Sequence, residues 1–238
     1  MNGTIQNRDA FLSQIANRLG RERKTSLERP KWKYNPQDEV LKDATQDDLV
    51  EVLKQQCNNI HTKFVQTNSA NLVASLKEVV DGYGGGSIVV GNDKRFEQFG
   101  LSELLKKDWP ESGSEVHVWD HTLGRENIEK ANLANVGISI SEITLAESAT
   151  AVLFSSKDQG RTISFLPNYS IIIMPKSTIV PRMTQGARFV REKVKNGEQI
   201  ASCVNFISGP SDSADIEMIP VIGVHGPIKM TYIVVDDL

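Results

Sequence analysis

Apolar residues follow two patterns along the chain: short continuous runs, and longer segments in which they recur at helical spacing. The short runs predict strands, and the spaced segments predict helices. The predicted strands cover residues 61–67, 87–91, 115–119, 137–143, 150–155, 170–174, 201–207 and 230–235. The predicted helices that follow the first one cover residues 48–60, 71–81, 95–107, 125–135 and 178–195. Strands separated by helices favour an α/β fold with a mixed, largely parallel sheet and helices on both faces.

Two regions add detail to this prediction. The connections between residues 138 and 155 are short, so an antiparallel or mixed portion is expected there. The segment 178–195 gives the clearest helical pattern of the chain. Its apolar face consists of Ile179, Met183, Ala187, Val190 and Val194.

The first predicted helix stands apart from the rest of the chain. Asn7 is placed to cap it, Gly20 to end it, and its apolar face consists of Phe11, Leu12, Ile15, Ala16 and Leu19. Residues 21–36 are rich in charge and contain proline, which is typical of an extended arm. We therefore divide the chain into a helix and arm, residues 1–36, and an α/β domain, residues 37–238. The helix is expected to pack either on a neighbouring subunit or back onto its own domain.

Composition limits the classes of function. Apolar residues make up 39% of the chain and charged residues 24%, as in ordinary globular proteins. The net charge of −3 gives no general attraction to nucleic acid or to an anionic membrane. No apolar run approaches the roughly 18–20 residues that a membrane span needs, and the polar N-terminus does not resemble a signal peptide. A cytoplasmic location is expected.

The cysteine count and the motifs argue against a resident cofactor. Cys57 and Cys203 are too few for the four thiolates that hold a typical iron–sulfur cluster. The chain has no Walker motif, no G-x-S-x-G elbow and no C-x-x-C pair. Asp212, Asp215 and Glu217 could bind a metal, but the first two are better explained as the capped start of a short helix that Pro220 ends. We therefore expect neither a cofactor nor a metal.

The connection between the last two predicted long strands is the strongest candidate for a binding site. It is longer than a turn requires, and such loops on a rigid scaffold often carry binding groups. The amides of Ser208 and Gly209, with the hydroxyls of Ser211 and Ser213, are expected to form an anion-binding nest. His225 lies between glycines, where it could act as an acid, a base or a phosphate donor. The alternative role for His225 is to hold the turn.

Two other loops carry candidate groups. Glu147 lies among small residues, next to Ser148 and Thr150, which can donate hydrogen bonds. Its alternative role is to accept backbone N–H bonds and order the turn. Arg161 could clamp a carboxylate or phosphate through paired hydrogen bonds, although a solvated arginine is the simpler interpretation.

These loops also carry a family resemblance. The sequences ISGPSDSADIE at 207–217 and GVHGP at 223–227 resemble the C-terminal signature of the LUD domain, in particular of the lactate utilization protein C family. ITLAESAT at 143–150, GRTISFLP at 160–167 and RDAFLSQIANRLG at 8–20 agree with it. Alanine at position 149 and serine at position 213 stand where the family commonly has glycine and threonine.

The resemblance implies an architecture like that of the NagB, RpiA and CoA-transferase folds. It also implies a component, without a redox centre, of a system that oxidises L-lactate to pyruvate with iron–sulfur partner proteins and supports growth on lactate. The alternative is a free-standing transferase or ligase that acts on a small carboxylate or phosphorylated substrate. A glutamate in a loop like that of Glu147 serves as nucleophile in CoA-transferase-like folds, by analogy of fold alone.

We accordingly predict one cleft that binds a small anion at the carboxyl ends of the strands. The predicted catalytic residues are Glu147 and His225. The predicted ligand-binding residues are Ser148, Thr150, Arg161, Ser208, Gly209, Ser211, Ser213, Asp215, Glu217 and Gly226.

Overall fold

The protein is described here by a computed structural model that covers residues 5–24, 26, 28, 30–213, 219 and 221–238. Contacts between Cα atoms divide the chain into two compact units, Met1–Pro36 and Gln37–Leu238. Within the described residues, the larger unit contains a six-stranded sheet, a four-stranded sheet and a two-stranded ribbon. None of the helices in the described residues has the length and apolarity needed to cross a membrane.

The helices and strands are numbered in chain order. The strands are β1 (Thr62–Thr67), β2 (Ile88–Val90), β3 (Val116–Val118), β4 (Val136–Ile140), β5 (Ile143–Leu145), β6 (Thr150–Phe154), β7 (Tyr169–Pro175), β8 (Ile179–Val180), β9 (Val204–Ile207), β10 (Asp212–Ser213), β11 (Val221–Ile222) and β12 (Lys229–Val235). The helices are α1 (Arg8–Arg18), α2 (Gln46–Asn59), α3 (Leu72–Gly82), α4 (Lys94–Gln98), α5 (Trp109–Glu111), α6 (Arg125–Leu133) and α7 (Met183–Lys195).

The six-stranded main sheet is parallel, in the order β1-β12-β7-β4-β2-β3. Its central strands are buried on both faces because side chains alternate across a strand. In β7, Ile171 and Ile173 pack on the face covered by α3, while Ile172 and Met174 pack on the face covered by α2. The prediction of an α/β fold with a largely parallel sheet and helices on both faces is confirmed.

A second sheet of four strands, in the order β8-β5-β6-β9, packs on the α2 side. Ala151 and Leu153 of this sheet belong to the same core cluster as Ile172 and Met174, as does Ala149 in the turn before β6. Its β5–β6 and β6–β9 pairs are antiparallel, which confirms the mixed portion predicted between residues 138 and 155. The outer face of this sheet is covered by Phe189 of α7.

Two predicted elements are divided in the structure. The helix predicted at 95–107 ends after α4 because Gly100 takes φ 74° and its N–H bonds to the Glu97 carbonyl, which closes the helix end. A π-helical turn, Leu104–Asp108, and α5 follow it. The strand predicted at 137–143 is also divided. After Ile140 the chain leaves the main sheet, and β5 belongs to the second sheet.

The helix predicted at 178–195 begins later than its apolar pattern suggested. Pro181 disfavours helical backbone in the preceding residue, so Ile179 and Val180 are extended and pair with β5. Helix α7 then begins at Met183. Ile179 is therefore a buried strand residue rather than part of the apolar helix face.

The N-terminal unit consists of α1 and the segment that follows it. Asn7 precedes the helix but takes φ 57° and makes no side-chain cap, so the prediction that it caps α1 was wrong. Gly20 ends the helix as predicted: its N–H bonds to the Asn17 carbonyl and that of Arg21 to the Ala16 carbonyl. The Arg23 guanidinium reaches back 2.5 Å to the Asp9 carboxylate. The segment after α1 is thereby held along the helix.

Candidate functional site

The cavity nearest the predicted loops lies at the amino end of the main sheet, not at its carboxyl end. It measures about 480 Å³ and is formed where β9 leads into the loop beginning at Ser208 and where residues 225–227 lead into β12. Ser164 and Phe165, which precede β7, complete the wall. The site was expected at the carboxyl ends of the strands. Of the strands beside this cavity, β9 reaches it with its carboxyl end, whereas β7 and β12 reach it with their amino ends.

Several predicted residues meet in this cavity. Ser208, Gly209, Ser211, His225 and Gly226 all line it. The Ser211 hydroxyl accepts the His225 backbone N–H at 3.3 Å, and the Ser211 N–H donates to the Pro227 carbonyl at 3.0 Å. The two segments of the signature are thus held together by a serine that belongs to the first of them. Glycine at 226 allows this close approach, because an added Cβ would lie 3.1 Å from the Ser211 Cβ.

A row of three hydroxyls joins the cavity to the loop between β5 and β6. Ser148 Oγ lies 2.6 Å from Thr150 Oγ1, which lies 2.6 Å from Ser208 Oγ. The antiparallel pairing of β6 with β9 places Ala151 opposite Ile207 and so brings Thr150 beside Ser208. Thr150 is buried, whereas Ser148 and Ser208 are exposed at the two ends of the row. A ligand hydroxyl or carboxylate at Ser208 would therefore extend a hydrogen-bonded chain.

Tyr232 fixes the shape of both loops, although the sequence analysis did not single it out. Its hydroxyl lies 3.1 Å from the Ala149 carbonyl and 3.1 Å from the Ile207 carbonyl, and it accepts the Gly209 N–H at 3.2 Å. Burial raises the pKa of this phenol. A tyrosine within the apolar run of β12 was the available signal, since a buried hydroxyl needs a partner. The Gly209 N–H is consequently used within the protein and is not a donor of the predicted nest.

The loop around Tyr232 contains two unusual backbone positions. Gly209 takes φ 78°, and a Cβ there would lie 2.5 Å from the Ile60 carbonyl oxygen. Ala149 takes φ 46° and is fully buried. This left-handed conformation accounts for the glycine that the resembling family commonly has at position 149.

Glu147 and Arg161 do not line this cavity. The Glu147 carboxylate pairs with Arg182 at 2.8 Å, an arginine that the sequence analysis missed, and the Glu147 N–H donates to the Pro181 carbonyl. Arg161 is exposed, and its guanidinium lies 5.5 Å from the ring centre of Phe165, which does line the cavity. Arg161 is therefore placed beside the cavity, while Glu147 is held towards the start of α7.

Part of the predicted site lies elsewhere or outside the described residues. Asp212 and Ser213 form β10 and pair with β11, so the prediction that Asp212 starts a short helix was wrong. Asp215, Glu217 and Pro220 lie outside the described residues. Among the residues that the structure covers, no cluster of three or more His, Cys, Asp or Glu side chains is arranged to hold a metal.

A second cavity, of about 370 Å³, lies at the opposite end of the main sheet. It opens at the carboxyl ends of β2 and β4, from which the chain continues in different directions. α/β proteins often bind ligands at such a switch point. Arg95 lies in its wall and pairs with Asp93 at 2.6 Å and with Glu142 at 2.5 Å. Because this arginine is already neutralised by two carboxylates, Lys94 is the cation of the wall that remains for an anion.

Comparison with known proteins identifies relatives over the whole chain. The LUD domain family matches residues 50–235. A protein named lactate utilization protein C from Geobacillus sp. (strain WCH70) is 56% identical over 99% of this chain and 98% of its own length. Proteins of the same name from Anoxybacillus flavithermus (strain DSM 21510 / WK1) and Bacillus subtilis (strain 168) are 57% and 53% identical. They cover 96% and 99% of this chain, and 99% and 98% of their own lengths.

A solved structure shares the fold at much lower sequence identity. It is a DUF162 family protein from Deinococcus radiodurans, 16% identical, with a TM-score of 0.55. The match covers 81% of this chain and 99% of that one. At this identity the similarity concerns the fold alone.

Proposed function

This chain belongs to the LUD domain family, and we propose that it is a component of an L-lactate utilisation system that oxidises L-lactate to pyruvate. The observation that carries the proposal is the similarity, at 53–57% identity and nearly full length, to relatives named lactate utilization protein C. We place the system in the cytoplasm and assign its electron transfer to iron–sulfur partner proteins.

The share of this chain is to bind and position the small anion rather than to carry electrons. Oxidation of lactate removes a proton from its hydroxyl and a hydride equivalent from its carbon. Two cysteines cannot hold a typical iron–sulfur cluster. In this proposal the electrons pass to an acceptor on a partner protein. We expect the purified protein to be colourless, and a visible absorption band that persists after desalting would contradict this assignment.

The cavity at the amino end of the main sheet supports this role. His225 is exposed there, and its ring makes no hydrogen bond to another residue that the structure describes, so both ring nitrogens can face a ligand. The Ser208 and Ser211 hydroxyls can bond a carboxylate, and Arg161 beside the cavity can offset its charge. In this proposal His225 accepts or donates the proton of the hydroxyl, while Ser208 and Arg161 orient the carboxylate.

The contacts of Glu147 favour this binding role over the alternative of a free-standing transferase. A carboxylate nucleophile must reach its substrate, whereas Glu147 is paired with Arg182 and lies outside the cavity wall. We therefore assign Glu147 to the support of the loop that carries Ser148 and Thr150.

Growth on lactate tests the proposal in the cell. A strain that lacks this protein but keeps the proposed partner proteins should fail to grow on L-lactate and should recover with the wild-type gene. His225→Ala and Arg161→Ala should not restore growth. The matched variants His121→Ala and Arg125→Ala change exposed residues of the same types outside the cavity and should restore it. Normal growth of the His225→Ala strain would overturn the assigned site.

Calorimetry with the purified protein locates the anion. L-Lactate and pyruvate should bind to the wild type and to Lys94→Ala, and binding should weaken at least about tenfold in Ser208→Ala and His225→Ala, the loss of about one charge-assisted hydrogen bond. The reverse pattern, with binding lost only in Lys94→Ala, would move the site to the cavity at the carboxyl end. Recovery of iron–sulfur proteins with the tagged protein from lactate-grown cells tests the partners separately.

A further inference from the structure

One face of α1, in the N-terminal unit, carries exposed apolar side chains. Phe11 is 63% exposed and Leu19 60% exposed, and Ile15 on the same face of α1 is also exposed. The helix is well formed, because Gly20 closes its end and Arg23 pairs with Asp9. Apolar side chains on a well-ordered helix face are typical of an interaction surface.

The same unit is strongly basic. Residues 1–36 contain eight Lys and Arg against three Asp and Glu, which gives a net charge of +5. Residues 37–238 hold the remaining 19 basic and 27 acidic residues, a net charge of −8. The overall charge of −3 thus conceals two oppositely charged parts. Trp32 and Tyr34 of the arm are also exposed and add aromatic surface.

The larger unit carries a complementary surface beside the candidate cavity. We call it the ribbon patch: the exposed side chains of Ile219, Val221, Ile222, Val224 and Ile228, on and next to β10 and β11. Ile228 packs on Gly223, so the patch continues from the ribbon towards β12. The ribbon patch belongs to residues 37–238, the part of the chain with a net charge of −8. It is therefore an apolar surface of the acidic part, whereas α1 is apolar in the basic unit.

We propose that the basic apolar unit of one copy of this protein docks α1 on the ribbon patch of a second copy. A second copy fits as the partner because the chain supplies both surfaces: each has exposed apolar side chains, and they belong to parts of opposite charge. Since both surfaces occur on every copy, reciprocal docking closes a symmetric pair with two equivalent contacts. The apolar side chains provide the contact area, and the opposite charges accelerate association and make it sensitive to salt.

Sedimentation velocity of the full-length protein tests the pair. The wild type should be dimeric at about 0.05 M salt and dissociate towards monomer at about 0.5 M salt, where charges are screened. Phe11→Ser with Leu19→Ser, and separately Val224→Ser with Ile228→Ser, should raise the dissociation constant at least about tenfold. These residues are exposed, so the folded spectrum should be unchanged. Leu133→Ser is the control, because Leu133 is an apolar residue, 75% exposed on α6, outside both proposed surfaces. This variant should stay dimeric.

Cysteine crosslinking decides which surfaces meet. Both proteins carry Cys203→Ser, and the remaining Cys57 is buried. One copy carries Phe11→Cys, and a second copy with a tag of different mass carries Val224→Cys. Oxidation of the mixture should give the mixed disulfide, and Phe11→Cys mixed with Leu133→Cys should not. A wild type that is monomeric at every concentration overturns the proposal. So does a chain with both Phe11→Cys and Val224→Cys that crosslinks only within itself.

Discussion

The Cys57 thiol shows how one buried side chain links stability to pH. It is fully buried in the cluster that includes Leu53 and Tyr232, and burial raises its pKa from 9.0 to about 12. The folded protein therefore keeps this proton at a pH where the unfolded chain has lost it. The stabilising contribution is complete below pH 9 and is lost as the pH rises towards 12.

The expected size follows from the linkage between protonation and folding. The free energy of unfolding should fall by about 1.4 kcal/mol between about pH 8 and about pH 10 through this thiol. In Cys57→Ala that part of the decrease should be absent, whereas Cys203→Ala should retain it. Urea denaturation at several pH values measures the slope. An identical slope in Cys57→Ala would show that the thiol does not carry the effect.

The Tyr232 hydroxyl contacts both loops beside the candidate cavity. Tyr232→Phe removes a group that joins two carbonyls and one N–H, and it leaves the buried Gly209 N–H without its partner. We expect a loss of about 1–3 kcal/mol in the free energy of unfolding. The control is Tyr34→Phe, which removes the hydroxyl of a tyrosine that is 74% exposed and should change the free energy of unfolding by less than about 0.5 kcal/mol. Equal losses in denaturant titrations would contradict the role given to Tyr232.

At the scale of the element, α2 begins with reciprocal capping. The Thr45 hydroxyl accepts the Asp48 N–H at 3.2 Å, and the Asp48 carboxylate accepts the Thr45 N–H at 2.9 Å. Thr45→Ala should destabilise the protein by about 1 kcal/mol, while Thr45→Ser keeps the hydroxyl and should change stability by less than about 0.5 kcal/mol. Thermal unfolding of the two variants under one set of conditions gives the comparison. The prediction fails if serine destabilises as much as alanine.

For the whole molecule, we propose that residues 37–238 fold independently of the helix and arm. The LUD domain match begins at residue 50, and the core clusters of both sheets consist of residues 41 and beyond. Deletion of residues 1–34 should leave the circular dichroism and the thermal midpoint of the α/β domain nearly unchanged while it abolishes self-association. A truncated protein that is unfolded, or that sediments as the full chain does, would refute this division.

The sequence by itself determined the local structure and the type of fold. Strand–helix alternation predicted the largely parallel sheet. The mostly apolar sequences of β7 and β12 are typical of strands that are buried on both faces. Gly20 likewise ended α1 as its position predicted. Two helix predictions based on apolar spacing had wrong bounds. The helix predicted at 178–195 begins only after Pro181, and the helix predicted at 95–107 ends before Gly100, because backbone restrictions at these residues outweigh hydrophobic periodicity.

Only the tertiary structure decided which distant residues share a site. The pairing of β6 with β9 brings Thr150 within 2.6 Å of Ser208, although 58 positions separate them in sequence. Hydrophobic patterns record whether a residue is buried but not its partner across a sheet, so the sequence predicted candidate loops without their arrangement. It could not show that β12 pairs parallel to β7, which places the amino ends of both strands beside the cavity. Glu147 was predicted to share a cleft with His225, but it pairs with Arg182 and lies outside the cavity that His225 lines. That outcome also depends on packing between elements far apart in the chain.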